Sequence, residues 1–160
     1  MARSNVSAGI LLWRRVAHSE LEVLLGHPGG PFFATKDEGH WTVLKGEAEP
    51  DDDLLTVARR EFEEETGHAA PEGDPIGLGQ VRQKGGKIVH AWALEGDLDP
   101  STATSNSFEM EWPPRSGRTK EFPEIDRVAW FDLPAARTKI KAEQTAFLDR
   151  LQEELRASAD

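Results

Sequence analysis

Three glutamates within five residues, Glu61, Glu64 and Glu65, are the strongest candidates for chemistry in this sequence. Two carboxylates about 4 Å apart repel by roughly 4 kcal/mol at an effective dielectric constant of about 20, so a group of three needs protons or bound cations. Carboxylates combined with carbonyl oxygens and water are hard ligands that suit Mg²⁺ or Mn²⁺. In such sites the metal is usually shared with the phosphates of a substrate. These glutamates therefore predict a metal site that binds a phosphate-containing substrate.

A helix ending at Gly67 is predicted to position these glutamates. The proline and three aspartates of residues 50–53 signal its start, and the glycine signals its end. At about 100° per residue, Glu61 and Glu65 lie in or beside the apolar sector, and Glu64 lies at its edge. The apolar sector consists of Leu54, Leu55, Ala58 and Phe62. A solvated acidic face, the usual explanation of an acidic run, would place the glutamates on the opposite side.

The same stretch resembles the Nudix signature, which is Gly, five residues, Glu, seven residues, Arg-Glu, a bulky apolar residue, one residue, Glu-Glu, one residue, Gly and an apolar residue. The matching residues are Gly46, Asp52, Arg60, Glu61, Phe62, Glu64, Glu65, Gly67 and His68. Asp52 stands where the family usually has Glu, and His68 stands where an aliphatic residue is usual. The many fixed offsets make this match far more specific than a lone Glu-Glu pair.

The resemblance implies an α/β (α+β) protein, a Nudix-type α/β/α sandwich with a mixed central sheet, that cleaves phosphoanhydride bonds with Mg²⁺ or Mn²⁺. The implied metal ligands are Glu61, Glu64, Glu65 and a carbonyl at or just before Gly46. Glu61 is the expected general base that activates water. Glu124 is the alternative, and Glu121 competes with it for the place of a further carboxylate. Arg60 is expected to orient carboxylates rather than to touch substrate.

Substrate-binding candidates lie on both sides of the signature. Lys45 would bring a cation to a phosphate, and Phe32, Phe33 or Trp41 would stack a nucleobase. The structural alternatives are a solvated loop lysine and aromatic rings that cover the core. His90, two residues before a tryptophan on one strand face, would line a pocket or be a satisfied polar residue.

A second group of candidates lies in the segment Gly96–Glu124. Arg115, Arg118 and Lys120, with Trp112, would suit a polyphosphate and a base, and mobile surface charge is the alternative. The segment is rich in turn-forming residues and predicts a long loop, which in a compact domain is usually functional or disordered.

The remaining elements are expected to form one domain, residues 1–160. The predicted strands are Val6–Trp13, Leu21–Leu25, Ile76–Gln83, Lys87–Leu94 and Arg127–Phe131. Turns are predicted around His18, Ser19 and Glu20 and at Lys84–Gly86, with a loop over His27–His40 and an extended run over His40–Leu44. Helices are predicted over Pro134–Ile140 and Ala142–Leu155.

Composition narrows the possible partners. The chain has 19 basic and 29 acidic residues, a formal net charge of −10, and no cysteine. Such a charge opposes attraction to long nucleic acid or anionic membranes, so a small nucleotide is the expected partner. No segment reaches the length of a membrane span, and a cytoplasmic location is the expectation. Monomer and homodimer both remain open.

We expect hydrolysis of a dinucleoside polyphosphate or a nucleoside triphosphate, because the residues leading into the signature resemble that branch of the family. Capped or triphosphorylated RNA ends are the next enzymatic alternative. A non-catalytic nucleotide-sensing module is the alternative from another class, and a plain acidic cation-binding domain is a third. A plain acidic cation-binding domain would not explain the Arg-Glu pair or the two glycines of the signature.

Overall fold

A six-stranded mixed sheet with helices on both faces forms the body of the protein, as seen in a computed structural model that describes residues 5–17 and 20–159. The helices are α1 (Leu54–Thr66), α2 (Leu133–Lys139) and α3 (Thr145–Ala159). The strands are β1 (Val6–Arg15), β2 (Leu21–Pro28), β3 (Leu44–Glu47), β4 (Ile76–Arg82), β5 (Ile88–Glu95), β6 (Ser107–Glu111), β7 (Thr119–Pro123) and β8 (Ile125–Asp132). The α/β/α sandwich expected from the sequence is confirmed.

The sheet is organised around β1. The strand order is β4-β5-β1-β2-β8, with β3 also paired to β1. β1 is parallel to β5 and antiparallel to β2 and β3. The buried residues of β1 alternate between the two faces, as a strand covered on both sides requires.

β2 and β3 pair with different parts of the same edge of β1. The first half of β1 pairs with β3, from Ser7–Glu47 to Ile10–Leu44, and only its end pairs with β2. Gly26 of β2 forms an isolated bridge with Thr42, which lies two residues before β3. β2 pairs with β8 along its length, and β3 has no strand partner besides β1 among the described strands.

Two apolar layers hold the helices to the sheet. α1 buries Val57, Ala58 and Phe62 against one face. α2 and α3 cover the other face, where the buried helix residues are Leu133, Ala136, Phe147, Leu148 and Leu151. The amphipathic pattern predicted for the last helix is therefore confirmed, and its inner side chains serve packing.

The start of α1 differs from the prediction. The helix begins at Leu54, and Asp53 is its N-cap because its side chain accepts a hydrogen bond from the Thr56 backbone N–H at 3.1 Å. Pro50 therefore precedes the first helical turn instead of lying within it. At the other end Gly67 has φ 77°, a left-handed conformation that suits glycine, so the predicted stop is confirmed.

The segment Gly96–Glu124 is not the structureless loop that its turn residues predicted. It contains a short 3-10 helix, Pro100–Thr102, and the antiparallel hairpin β6–β7. The pair Phe108 and Phe122 lies across the hairpin, and such alternation of apolar and polar residues was the missed signal.

The other boundaries differ by a few residues. β2 extends through His27 and Pro28, which the sequence had placed in the following loop. The turn at Lys84–Gly86 and the helix near Pro134 are confirmed. In the turn predicted around residues 18–20, His18 and Ser19 lie outside the described residues. None of the helices in the described ranges combines the length and the apolar character needed to span a membrane.

Candidate functional site

The glutamates of α1 approach the backbone of β3 at Gly46. A Cβ atom added to Gly46 would lie 2.1 Å from the carboxyl carbon of Glu61, so only glycine allows the helix and strand to come this close. Glu64 is the neighbouring carboxylate, and Glu65 lies buried one residue further on. These three residues, Glu61, Glu64 and Glu65, are called the carboxylate cluster below.

Burial makes two members of the carboxylate cluster unusually basic. Burial, together with the adjacent Glu64 carboxylate, raises the pKa of Glu61 to about 7. Burial also raises the pKa of Glu65 to about 8, with a contribution from Glu61. Glu65 is only 7% exposed, and its Oε1 has no hydrogen-bond partner. A buried carboxylate oxygen without a partner is costly unless a proton or cation satisfies it.

Glu124 lies near the carboxylate cluster, and its charge contributes to the raised pKa values of Glu61 and Glu65. Its backbone N–H donates to the Asn106 carbonyl at 2.8 Å, and the Asn106 N–H donates to the Glu64 carbonyl at 2.8 Å. The base of the β6–β7 hairpin is thus tied to α1. Burial raises the pKa of Glu124, whereas its competitor Glu121 lies within the hairpin opposite Glu109.

Two basic residues flank the carboxylates. Lys45 is partly buried in β3, and burial lowers the pKa of its ammonium group, with a further contribution from the charge of Lys141. Lys45 also opposes the rise in the pKa of Glu65. Arg60 lies 4.0 Å from the Glu61 Oε1 and is half exposed, a position that suits the orienting role expected for it.

The donors of the carboxylate cluster fit a hard divalent cation by their chemistry. They offer carboxylate oxygens beside the backbone of Gly46, and the unpartnered Glu65 Oε1 is a ready ligand. Within residues 5–17 and 20–159, however, no three His, Asp or Glu side chains are arranged to hold a metal ion by themselves. The fit therefore rests on the donor set and not on a preformed cage.

The structure corrects the prediction that Trp41 binds substrate. This side chain is 3% exposed, packs against Phe131 and His27, and donates from Nε1 to Asp37 at 2.8 Å. No face of the ring is open to a nucleobase. Phe32 is 60% exposed instead, and its ring lies 5.7 Å from that of Trp112 on the hairpin.

The remaining substrate-binding candidates are not gathered around the carboxylates. Arg115 and Arg118 lie in the turn of the β6–β7 hairpin, and the length of β7 puts them about 20 Å from Glu124 at ~3.3 Å per residue. His90 lies on the α1 side of β5, where the Ala8 position of β1 separates it from Gly46. Substrate contacts by these three side chains remain predictions.

The sequence did not point to a cavity of about 580 Å³ beside Lys45, on the α3 side of the sheet. Lys84 and Lys87 from the β4–β5 turn and Lys141 from the segment after α2 line it together with Lys45. We call it the lysine cavity. The spacing of the two turn lysines was visible in the sequence, but their meeting with Lys141 depends on how α2 packs.

Comparison with solved structures of known proteins supports the fold described above. The computed structure resembles an Ap4A hydrolase from C. elegans in a binary complex, with 21% identity, a TM-score of 0.67, and coverage of 94% of this chain and 98% of that chain. It also resembles the NUDIX domain of Shewanella oneidensis NrtR complexed with ADP ribose, with 15% identity, a TM-score of 0.64, and coverage of 97% and 90%. At these identities the likeness concerns the fold.

An octanoyltransferase from Myxococcus xanthus is 33% identical over 98 residues, which are 61% of this chain. The match spans only 24% of that protein's length.

Fold and site together define an α/β/α protein with a cluster of helix carboxylates facing a glycine on the neighbouring strand. Residues 4–151 match the NUDIX domain family. The chain belongs to that family, as its signature predicted, and this membership supports the prediction of a hydrolase acting on nucleotide pyrophosphates.

Proposed function

We propose that the protein hydrolyses a phosphoanhydride bond in a nucleoside polyphosphate, a dinucleoside polyphosphate or a nucleoside triphosphate, with Mg²⁺ or Mn²⁺ as cofactor. The single observation that carries this proposal is the carboxylate cluster against Gly46, with one buried glutamate oxygen left without a partner. When bound, a divalent cation neutralises phosphoryl charge and lowers the pKa of water. The carboxylate cluster and the carbonyl near Gly46 would hold it.

The protein's own residues have separate tasks in this proposal. Glu61, held against the β3 backbone, is the proposed general base for the attacking water, and Glu124 is the alternative. Lys45 precedes Gly46 in β3 and would pair with a phosphoryl oxygen. Arg60 keeps the Glu61 carboxylate in place across 4.0 Å.

Product analysis on a substrate panel tests the reaction class. Diadenosine tetraphosphate, nucleoside triphosphates, ADP-ribose and 5′-triphosphate RNA would each be incubated with the protein and Mg²⁺, with EDTA as the matched control. We expect turnover of a nucleoside polyphosphate that EDTA abolishes, and the products identify the cleaved bond. Turnover that persists in EDTA would contradict the metal requirement.

The general base is tested by two substitutions. Glu61→Gln is expected to reduce kcat by about 10²- to 10⁴-fold, the usual contribution of a general base, whereas Glu124→Gln has a smaller effect. The reverse order would assign the base to Glu124. The pH dependence of kcat should lose its ascending limb in the variant that lacks the base.

A nucleotide-sensing module remains the second candidate, because the NUDIX domain of NrtR resembles this chain in fold and was solved with ADP ribose. Binding of a nucleotide without turnover of any panel member would favour sensing. Selective turnover of 5′-triphosphate RNA would instead favour action on RNA ends.

A further inference from the structure

The segment between the short 3-10 helix and β6 ties the β6–β7 hairpin to the end of α1. The Thr104 N–H donates to the Thr66 carbonyl at 2.9 Å, and the Asn106 N–H donates to the Glu64 carbonyl at 2.8 Å. Both carbonyls belong to the last turn of α1, where no later helical N–H group is available to bind them. We call residues 104–106 the strap.

The strap also holds the polypeptide at Glu124. The Asn106 carbonyl accepts a hydrogen bond from the Glu124 N–H at 2.8 Å, and the Ser105 hydroxyl oxygen accepts one from the Ile125 N–H at 3.1 Å. The same hydroxyl donates to the Asn106 carbonyl at 2.9 Å. Ser105 therefore connects the amide of Ile125 to the carbonyl that receives the amide of Glu124.

The end of β2 holds the same residues from another direction. The Gly29 N–H donates to the Glu124 carbonyl at 2.9 Å, and Pro28 is the register partner of Ile125. The backbone is therefore hydrogen-bonded on both sides of the Glu124 Cα atom. Its N–H group is bound by the strap, and its carbonyl is bound by the residue that follows β2.

Glu124 interacts with the carboxylate cluster from this position. Burial is the main cause of the raised pKa values of Glu61 and Glu65, and the charge of Glu124 contributes to both. Burial also raises the pKa of Glu124 itself, and the ammonium group of Lys45 opposes that rise. Because like charges repel, the neighbouring carboxylates favour movement of Glu124 away from them. The hydrogen bonds of the strap oppose that movement.

We propose that Ser105 is a positioning residue, whose hydroxyl holds Glu124 beside the carboxylate cluster through the Ile125 amide and the Asn106 carbonyl. The assignment rests on the proposed function, and it adds that Glu124 contributes to hydrolysis from a fixed position. Ser105 acts only through Glu124 in this assignment. It should therefore affect the chemical step more than substrate affinity, since misplacing a reacting group by about 1 Å can cost about 10²-fold in rate.

Steady-state kinetics on the best panel substrate with Mg²⁺ test this role. Ser105→Ala removes the acceptor of the Ile125 N–H and should lower kcat about tenfold, while KM changes less than about twofold. Ser105→Thr keeps a hydroxyl and should restore kcat to within about twofold of the wild type. The matched control is Ser101→Ala, because Ser101 is an exposed serine of the same segment whose hydroxyl donates to Asp99 at 2.8 Å.

A double-mutant cycle shows whether the effect passes through Glu124. In the Glu124→Gln background, Ser105→Ala should change kcat less than about twofold, because the carboxylate that it positions is already absent. An equal loss in both backgrounds would overturn the assignment, and so would equal kcat values for Ser105→Ala and Ser101→Ala. A wild-type rate for Glu124→Gln would also overturn it, but would leave the hydrolysis and the role of Glu61 standing.

Amide hydrogen exchange in EDTA tests the anchor without catalysis. The Ile125 N–H should exchange about tenfold faster in Ser105→Ala than in the wild type, and no faster in Ser101→Ala. An unchanged exchange rate in Ser105→Ala overturns the assignment. Faster exchange in a protein that turns over no panel substrate supports the anchoring of Glu124 and refutes the proposed hydrolysis.

Discussion

Gln144 is the buried polar side chain that joins the lysine cavity to the core, and its replacement by leucine has a calculable effect on stability. The residue is 0% exposed. Its Oε1 accepts from the Val43 backbone N–H at 3.0 Å, and its Nε2 donates to Thr42 Oγ1 at 2.9 Å and to Gln83 Oε1 at 2.8 Å. One side chain thus provides hydrogen-bond partners both for the edge of the sheet and for the wall of the lysine cavity.

Gln144→Leu keeps the volume of the side chain and removes these hydrogen bonds. The Val43 N–H loses its partner in a buried position, which costs about 1–3 kcal/mol. Thr42 still donates to the Val43 carbonyl at 3.0 Å, and Gln83 is partly exposed to water. The loss of the hydrogen bond to each of these two residues therefore adds a smaller cost than the loss at Val43. We therefore expect the free energy of unfolding to fall by about 2–4 kcal/mol in total.

Urea denaturation followed by tryptophan fluorescence measures this change. Gln152→Leu is the matched control, because Gln152 is a partly exposed glutamine on α3, the helix that follows Gln144, and accepts one hydrogen bond from Arg137. The control should change the free energy of unfolding by about 0.5 kcal/mol or less. A loss for Gln144→Leu no larger than that of the control would refute the assignment of these buried hydrogen bonds.

Three further substitutions address the site and its helix. Because burial raises the pKa of Glu65 to about 8, the stability contributed by its protonated form is complete below about pH 4.5 and is lost as the pH rises through 8. In EDTA, Glu65→Gln should therefore raise the free energy of unfolding at pH 9 by a few kcal/mol, which is measured as a higher melting temperature. The same change should have little effect at pH 4. Gly46→Ala should displace the Glu61 carboxylate, since the new Cβ would lie 2.1 Å from it, and lower kcat by about 10²-fold while the protein stays folded. Asp53→Ala removes the cap of α1 and should cost about 1 kcal/mol in urea denaturation.

Each of these expectations has a control and a contrary outcome. Glu63→Gln, on the exposed side of α1, should leave the pH dependence of melting unchanged, and a parallel change in Glu65→Gln would contradict the burial argument. Normal kcat in Gly46→Ala would show that Glu61 has no need of the close approach. For the cap, Asp51→Ala is the comparison, since Asp51 is an exposed residue outside the helix. Equal losses in the two aspartate variants would exclude a capping effect.

The resemblance of the signature to the Nudix family predicted the sandwich, and local patterns predicted α1. The period of buried residues in α1 and the stop at Gly67 are properties of a few neighbouring residues, and the structure confirms them. The start was misplaced because Asp53 caps the helix, so the aspartates before it lie in a turn. Local preference did not distinguish a first turn from a cap.

Long-range packing accounts for what the sequence missed. Trp41 follows a glycine-rich loop and looked available to a ligand, but its ring fills the space between His27 and Phe131, which are distant in the chain. The lysine cavity likewise depends on Lys141 reaching the β4–β5 turn. No local pattern encodes such contacts between residues that are distant in the chain, because they form only when separate segments pack together.

We propose that the carboxylate cluster, and not acidic charge in general, supports phosphoanhydride hydrolysis. The decisive measurement is the rate of phosphate release from the best panel substrate in Mg²⁺, compared between Glu64→Gln and Glu63→Gln. The comparison is matched because each change removes one charge, at adjacent positions of α1. We expect a loss of about 10²-fold or more for Glu64→Gln and near wild-type rates for Glu63→Gln. Equal rates in the two variants would contradict it.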